Sequence, residues 1–340
     1  DAAVQLNWTV FDGLAMFAAK DRLEALELIG RTQLRQRIEA TTYEVLAAYY
    51  QLVQLRRAIA VQQEGVRVSR ERLRITGTGA RIGTASGLHL VQARLDLSTD
   101  SALVLDLHVQ EAAATTRLNA LMGRAPSTSM EVAAEVPASE PLDLARIQEA
   151  ARQANSAVQQ ARQQQIAADL SVKELRGTLL PQVDLFANYG YTRSTSAVGL
   201  LRSNQALGPD YGARVSIPLF RGLRMRNAME IAKLSREQAA LTTQQAELSL
   251  EESILNAWTS YTTANQRVAL EEQNLAGART QSDVALESYR VGSLTSVELR
   301  DVQLGLVAAE QRLLLARYEA KLAELLVSEA EFLLNSRHEA

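Results

Sequence analysis

Two stretches of this chain repeat each other at one fixed spacing. "VFDGLAM" (10–16) returns as "LFRGLRM" (219–225), and 219 minus 10 sets an offset of 209. The same offset carries "RIGTASGLHL" (81–90) onto "RVGSLTSVEL" (290–299), with no gap needed between. Self-similarity at one fixed offset means that the chain is built twice on a single plan.

The plan is helical. Ile38, Val45, Leu52, Ile59, Val66 and Leu73 recur every seven residues, with Ala48 and Leu55 three further on. Shifted by the offset, the second copy places Ile254, Tyr261, Val268, Leu275 and Tyr289, with Ser282 interrupting. Ala257, Ala264, Ala278 and Ala285 flank them. Beyond the second tip the series resumes at Leu299, Leu306, Leu313, Val327 and Leu334, as it does at Leu90, Leu97, Val104 and Leu118 in the first copy. A sustained seven-residue period predicts coiled-coil packing, and flanking alanine lets helices approach closely. From Leu223 to Tyr289 no proline interrupts the pattern, which at 1.5 Å per residue predicts a helix of roughly 100 Å. The first copy, Leu14 to about Thr76, reads the same way. Return helices are expected at about 85–122 and 143–177, separated by a loop holding Pro126, Pro137 and Pro141.

Each long helix ends at one glycine and a new helix starts at once. In "YRVGSLTSVELRDVQ" (289–303), Gly292 is a left-handed stop, and Thr295 followed three residues later by Glu298 is a helix-start signature. Gly83 holds the matching place in the first copy. Both stretches read as the tips of helical hairpins.

Short strands separate the helical tracts. "QVDLFANYGYTR" (182–193) sets Val183, Leu185, Ala187, Tyr189 and Tyr191 on one face; "YGARVSIPLF" (211–220) does so with Tyr211, Ala213, Val215, Ile217 and Leu219. The chain's opening repeats this with Ala2, Val4, Leu6, Trp8 and Val10. The opposite face carries Gln182, Asp184, Asn188, Thr192, Arg214 and Ser216. Strands of about ten residues, apolar on one face and polar on the other, suit the wall of a membrane barrel with a wet lumen. One such strand pair taken alone would sooner be a half-buried soluble hairpin, but its junction with helices of roughly 100 Å argues against that. Residues 194–210 are expected to form a long, mostly polar loop. Trp8, Tyr189, Tyr191 and Tyr211 suit an interfacial aromatic belt or ordinary packing.

Composition removes several classes of function. A net charge of −3 gives no basic footprint for nucleic acid. The absence of cysteine removes disulfides and thiolate metal sites. No run of 18 apolar residues is present, so a membrane would be met through strands. "GTGARIG" (77–83) lacks the last glycine of a dinucleotide loop, and the serine of "GTASG" (83–87) stands in the wrong place for a nucleophile elbow. His89, His108 and His338 have no ligand spacing. No catalytic residue, metal site or cofactor is expected, and so no enzyme.

"LLPQVDLFANYGYT", "VSIPLFRGLRMRNAM" and the paired tips "RIGTAS" and "RVGSLTS" resemble the TolC-like outer-membrane efflux proteins, in the right order and along essentially the whole chain. The resemblance implies a mainly α fold with a small β part. Long antiparallel coiled-coil helices would form an α-barrel, joined to a transmembrane β-barrel completed by trimerisation. It divides the chain into a first repeat (1–125, tip at 77–87), a linking equatorial segment (126–142) and a second repeat (143–336, strands 182–193 and 211–221, tip at 290–296). The repeat itself leads to the expectation of a truncation at the N-terminus of at least some 65 residues, since counterparts of 143–177 and 182–193 fall before Asp1; any signal peptide or lipid anchor would precede them.

The implied function is a passive channel-tunnel in the outer membrane of a Gram-negative bacterium, with a large periplasmic part. It would export small molecules or proteins together with an inner-membrane transporter and a periplasmic adaptor, as a homotrimer among outer-membrane lipid. By the same resemblance Ile82, Gly83, Thr84, Val291, Gly292, Ser293 and Leu294 are the adaptor-contact tips. Glu298 and Asp301 match an acidic ring at the closed entrance; Tyr289 matches a closing latch, in which His89 stands where an acid is expected and Leu294 where an arginine is. The competing reading is a periplasmic coiled-coil adaptor or structural protein without its own pore. A plain helix–helix turn at the tips, and a solvated face for the two acids, are the corresponding readings of these residues.

Overall fold

The structure, a computed structural model, describes residues 2–195, 203–220 and 222–335. In chain order the elements are β1 (Ala2–Phe11), α1 (Ala15–Arg81), α2 (Gly87–Leu121), α3 (Leu144–Ala154), α4 (Ser156–Gly177), β2 (Gln182–Thr195), β3 (Ser203–Ser216), α5 (Arg224–Arg290) and α6 (Ser296–Asn335). The fold is mainly α with a small antiparallel sheet. The repeat is visible residue by residue. α1 and α5 both have 67 residues, and their first and last residues stand 209 apart. Gly13 and Gly222, one offset apart, take φ of +71° and +66°; Gly83 and Gly292 take +81° and +80°. Only glycine enters that region without steric cost.

Two compact units divide the chain, residues 1–36 with 156–249 and residues 37–155 with 250–340. The first contains the sheet, in the order β1-β2-β3, with both pairings antiparallel. Trp8 pairs with Leu185 and Val4 with Tyr189 on β1–β2, while Leu185 pairs with Ala213 and Ala187 with Tyr211 on β2–β3. Along the paired segments the expected apolar residues therefore share one face, and no described residue covers it: Val4 is 77% exposed and Tyr211 78%. A bulge between Thr9 and Phe11 puts Phe11, not Val10, opposite Val183. Beneath the sheet, β1 turns into α1 against the end of α4. A Cβ on Gly13 would stand 2.2 Å from the Gly177 carbonyl oxygen, and one on Gly177 would stand 2.8 Å from the Ala15 Cβ. Neither position has room for a side chain.

Several boundaries differ from those read in the sequence, the first being that α1 runs on to Arg81 past the expected end at about Thr76, so that 77–81 of the expected tip is helical. The helix expected over 143–177 is broken at Asn155, which caps α3 with ψ of 120°; asparagine bonds readily to local backbone and so favours helix ends over interiors. β2 and β3 run to Thr195 and from Ser203, 14 residues each, so most of the loop expected over 194–210 is strand. Polar residues there suggested a loop, but the ladder continues through Thr195↔Ser203 because cross-strand bonds do not depend on side-chain polarity. β3 ends at Ser216 rather than reaching 220, because Pro218 has no N–H to give a ladder. The middle of that loop, 196–202, and His338 lie outside the described residues.

The second unit holds the coiled-coil core. Ala48, Leu52, Leu55, Ala114 and Leu118 form one buried cluster across α1 and α2, with Tyr49 and Met130 against it. Leu275, Ala309 and Leu313 form the equivalent between α5 and α6, flanked by Val268, Ala278 and Leu306. The seven-residue series thus marks the seam: Leu52, Ile59, Leu118, Ile254, Tyr261, Leu275, Leu299, Leu313 and Val327 are buried, whereas Ile38 is 57% exposed. The proline-containing segment after α2 is irregular yet tied down. Asn119 Nδ2 donates to the carbonyls of Pro126 and Thr128 (3.2 and 2.8 Å), Arg56 to that of Met130 (2.8 Å), and the Ala133 N–H to Tyr49 Oη (3.0 Å). Each bond satisfies a backbone group that no helix or sheet serves.

Candidate functional site

Both hairpin tips are closed by the same set of bonds. At the first, the Thr84 N–H (2.8 Å), the Ala85 N–H (3.2 Å) and the Thr84 hydroxyl (3.2 Å) all converge on the Gly79 carbonyl. At the second, the Ser293 N–H (2.9 Å), the Leu294 N–H (3.3 Å) and the Ser293 hydroxyl (3.0 Å) converge on the Ser288 carbonyl. The six-residue return around a left-handed glycine satisfies carbonyls that a helix end leaves open. A Cβ on Gly83 or Gly292 would meet nothing within 4 Å, so backbone conformation rather than space demands glycine. Ile82 and Val291 stand at the tips 70% and 78% exposed.

The restart differs between the copies. The Glu298 N–H donates to Thr295 Oγ1 (3.2 Å), while the Glu298 carboxylate accepts from the Thr295 N–H (2.8 Å) and hydroxyl (2.7 Å). This is a complete capping box. The Thr295 hydroxyl, and next its N–H, hold the Glu298 carboxyl below its ordinary value. In the first copy Ser86 Oγ accepts from the His89 N–H (3.3 Å), but His89 has no carboxylate to return. Glu298, Asp301 and His89 are all exposed. Tyr289 is half-buried, with its hydroxyl 3.1 Å from Thr76 Oγ1, which joins α5 to α1.

Behind the tips lies a polar cluster that sequence reading missed. Both terminal nitrogens of the Arg300 guanidinium on α6, Nη1 and Nη2, donate to Asp100 on α2, at 2.7 Å each, and Arg300 Nη1 also lies 3.2 Å from Ser69 Oγ on α1. Ser69 donates to the same carboxylate. One turn along α1, Arg72 pairs with Asp96 and lies 3.4 Å from the Ser296 carbonyl. Ser69, Arg72 and Asp100 are no more than 3% exposed. Burial alone would raise the Asp100 carboxyl, but hydrogen bonds from Arg300 and Ser69, with the Arg72 charge, hold it below its ordinary value. The cluster connects the two hairpins of one chain through α1, α2 and α6. It was legible in part: three residues beyond the seam positions Ile59, Val66 and Leu73 stand Gln62, Ser69 and Thr76, all buried. The seam turns polar toward the tip.

No helix among the described residues is long and apolar enough to cross a membrane, and no His, Asp or Glu group among them could hold a metal ion.

Comparison with known proteins agrees with this geometry. The family model "Outer membrane efflux protein" matches residues 147–330, more than half of the chain. The outer membrane efflux protein BepC of Brucella suis is 24% identical over 325 residues, covering 94% of this chain and 69% of BepC. Among solved structures, the outer membrane protein VceC of Vibrio cholerae superposes with a TM-score of 0.79 at 17% identity, over 96% of this chain and 78% of VceC. The CmeC outer membrane channel of Campylobacter jejuni gives 0.82 at 13% identity, over 96% and 70%. These last two share the fold. With its doubled hairpins and its sheet, apolar on one face and polar on the other, this chain belongs to the outer membrane efflux protein family.

Proposed function

We propose that three copies of this chain assemble into a continuous conduit, a β-barrel in the outer membrane joined to a helical tunnel in the periplasm. Through it, small molecules or proteins leave the cell under the drive of an inner-membrane transporter and a periplasmic adaptor. The observation that carries this reading is the uncovered apolar sheet. Three strands cannot close a barrel of channel size, and an apolar face left in water would be an aggregation hazard. Further copies and lipid tails cover both. The helices support the same assembly: Leu88, Val91, Leu95, Leu105 and Val109 follow a/d spacing along α2 and are more than half exposed.

In this reading the tips, Ile82 to Thr84 and Val291 to Leu294, meet the adaptor. Glu298 and Asp301 line the narrow entrance, and Tyr289 and His89 belong to its closure. The conduit is passive: it has no catalytic site, needs no cofactor and does not bind nucleic acid.

The test is the purified full-length protein. A detergent-dependent trimer that forms discrete channels in planar bilayers is expected. Leu95→Glu with Leu105→Glu should leave the helix content unchanged and abolish the trimer. A detergent-independent monomer would overturn the reading.

A further inference from the structure

The polar face of the sheet carries one large aromatic side chain among the described residues, Phe186, directly opposite Gly212 in the ladder. A Cβ on Gly212 would stand 2.8 Å from the Phe186 Cζ and 3.0 Å from its Cε1, so the ring lies across the bare glycine. Over the ring sits the Arg214 guanidinium, 5.5 Å from the centroid. Its nearest carboxylate along the ladder is Asp184, directly opposite. That carboxylate is turned to other partners, Thr9 Oγ1 at 2.7 Å and Gln182 Nε2 at 3.0 Å.

We propose that Arg214 and Phe186 form a solute-selecting station on the lumen wall, one per chain, that favours aromatic carboxylates and sulfonates. The inference rests on the channel reading, which makes the polar face the lumen side. An arginine fork binds a carboxylate or sulfonate in two parallel bonds. Stacked on a ring, the guanidinium loses less freedom on binding than a solvated one, and the ring adds apolar surface for an aromatic solute. Asp184 and Asp210 share this face, so the station acts by contact and not through a net positive field. Glycine at 212 is part of the device, because any side chain there would lift the ring and the guanidinium from the wall.

The probe is 1-naphthalenesulfonate, with methanesulfonate as the non-aromatic control, added to single wild-type channels in planar bilayers. The aromatic anion should reduce the current at concentrations where methanesulfonate does not. Arg214→Gln should raise its half-blocking concentration about ten-fold, the effect of losing one charge-assisted contact. Arg214→Lys, which keeps the charge but loses the fork and the stacking, should give an intermediate value. Phe186→Leu should bring the two probes closer together. Trimer yield in detergent reports assembly, and if Arg214→Gln does not assemble, the lysine variant decides. Wild-type channels insensitive to the aromatic anion, or variants blocked as wild type, overturn the station and leave the channel standing. Wild-type protein that forms no channel overturns both.

Discussion

Asp100 and Arg300 face each other in a two-bond pair, each carboxylate oxygen 2.7 Å from a guanidinium nitrogen, and so tie the hairpin of one repeat to the hairpin of the other. The pair is buried, with side chains 4% and 15% exposed. Breaking a buried ion pair from one side strands the other charge, at a cost of roughly 3–5 kcal/mol. Arg300→Ala and Asp100→Ala are each expected to lower the thermal midpoint of the trimer clearly. The double variant Asp100→Ala with Arg300→Leu should recover most of the loss, since apolar replacement of a buried pair is often neutral. Single variants as stable as wild type would show that the pair constrains nothing.

The same carboxylate sets an acid limit. The folded-state pKa of Asp100 is held below its ordinary value, by the Arg300 and Ser69 hydrogen bonds acting against burial. A depressed carboxyl stabilises the fold above its unfolded pKa, about 3.9, and that stability is lost as pH falls through the folded value. Stability measured downward from about pH 5 should therefore fall more steeply in wild type than in Asp100→Ala with Arg300→Leu. Parallel pH profiles would exclude the role.

Gly83 and Gly292 sit at φ of +81° and +80° with open space around them. Valine at either site incurs a backbone strain of about 1–3 kcal/mol without a steric clash. Gly83→Val and Gly292→Val should lose export with trimer assembly and membrane insertion intact, and the pair together should abolish it. Normal export from the double variant would show that neither tip needs its backbone geometry for coupling.

Glu298 both caps α6 and carries charge, so alanine would confound the two. Glutamine keeps a capping-box partner, whereas removing a cap costs about 1 kcal/mol. Glu298→Gln with Asp301→Asn should reduce cation preference and weaken block by multivalent cations, because rings of carboxylates in a narrow pore favour cations. Unchanged selectivity and block in single-channel recordings would return both residues to a solvated helix face.

The sequence alone determined whatever depends on periodicity and on local backbone chemistry. The offset of 209, the seven-residue seam through Leu52, Leu118, Leu275 and Leu313, the alternating faces of the strands and the glycine stops at both tips all follow from spacing, and spacing is a property of the chain before it folds. Local competition was harder to read. The break at Asn155, the bulge after Thr9 and the extension of β2 and β3 depend on which backbone partner wins, and polarity does not report that. The Asp100–Arg300–Ser69 cluster needed tertiary structure, because its members come from three helices and only packing makes them neighbours. One trace of it was present: at the repeat offset, Ser69 and Asp100 correspond to Ala278 and Ala309, which in the second hairpin pack as small apolar seam residues. Where one copy kept alanine, the other buried a hydroxyl and a carboxylate, and a buried carboxylate demands a cation. That Arg300 supplies it could be decided only by the side-by-side packing of the hairpins.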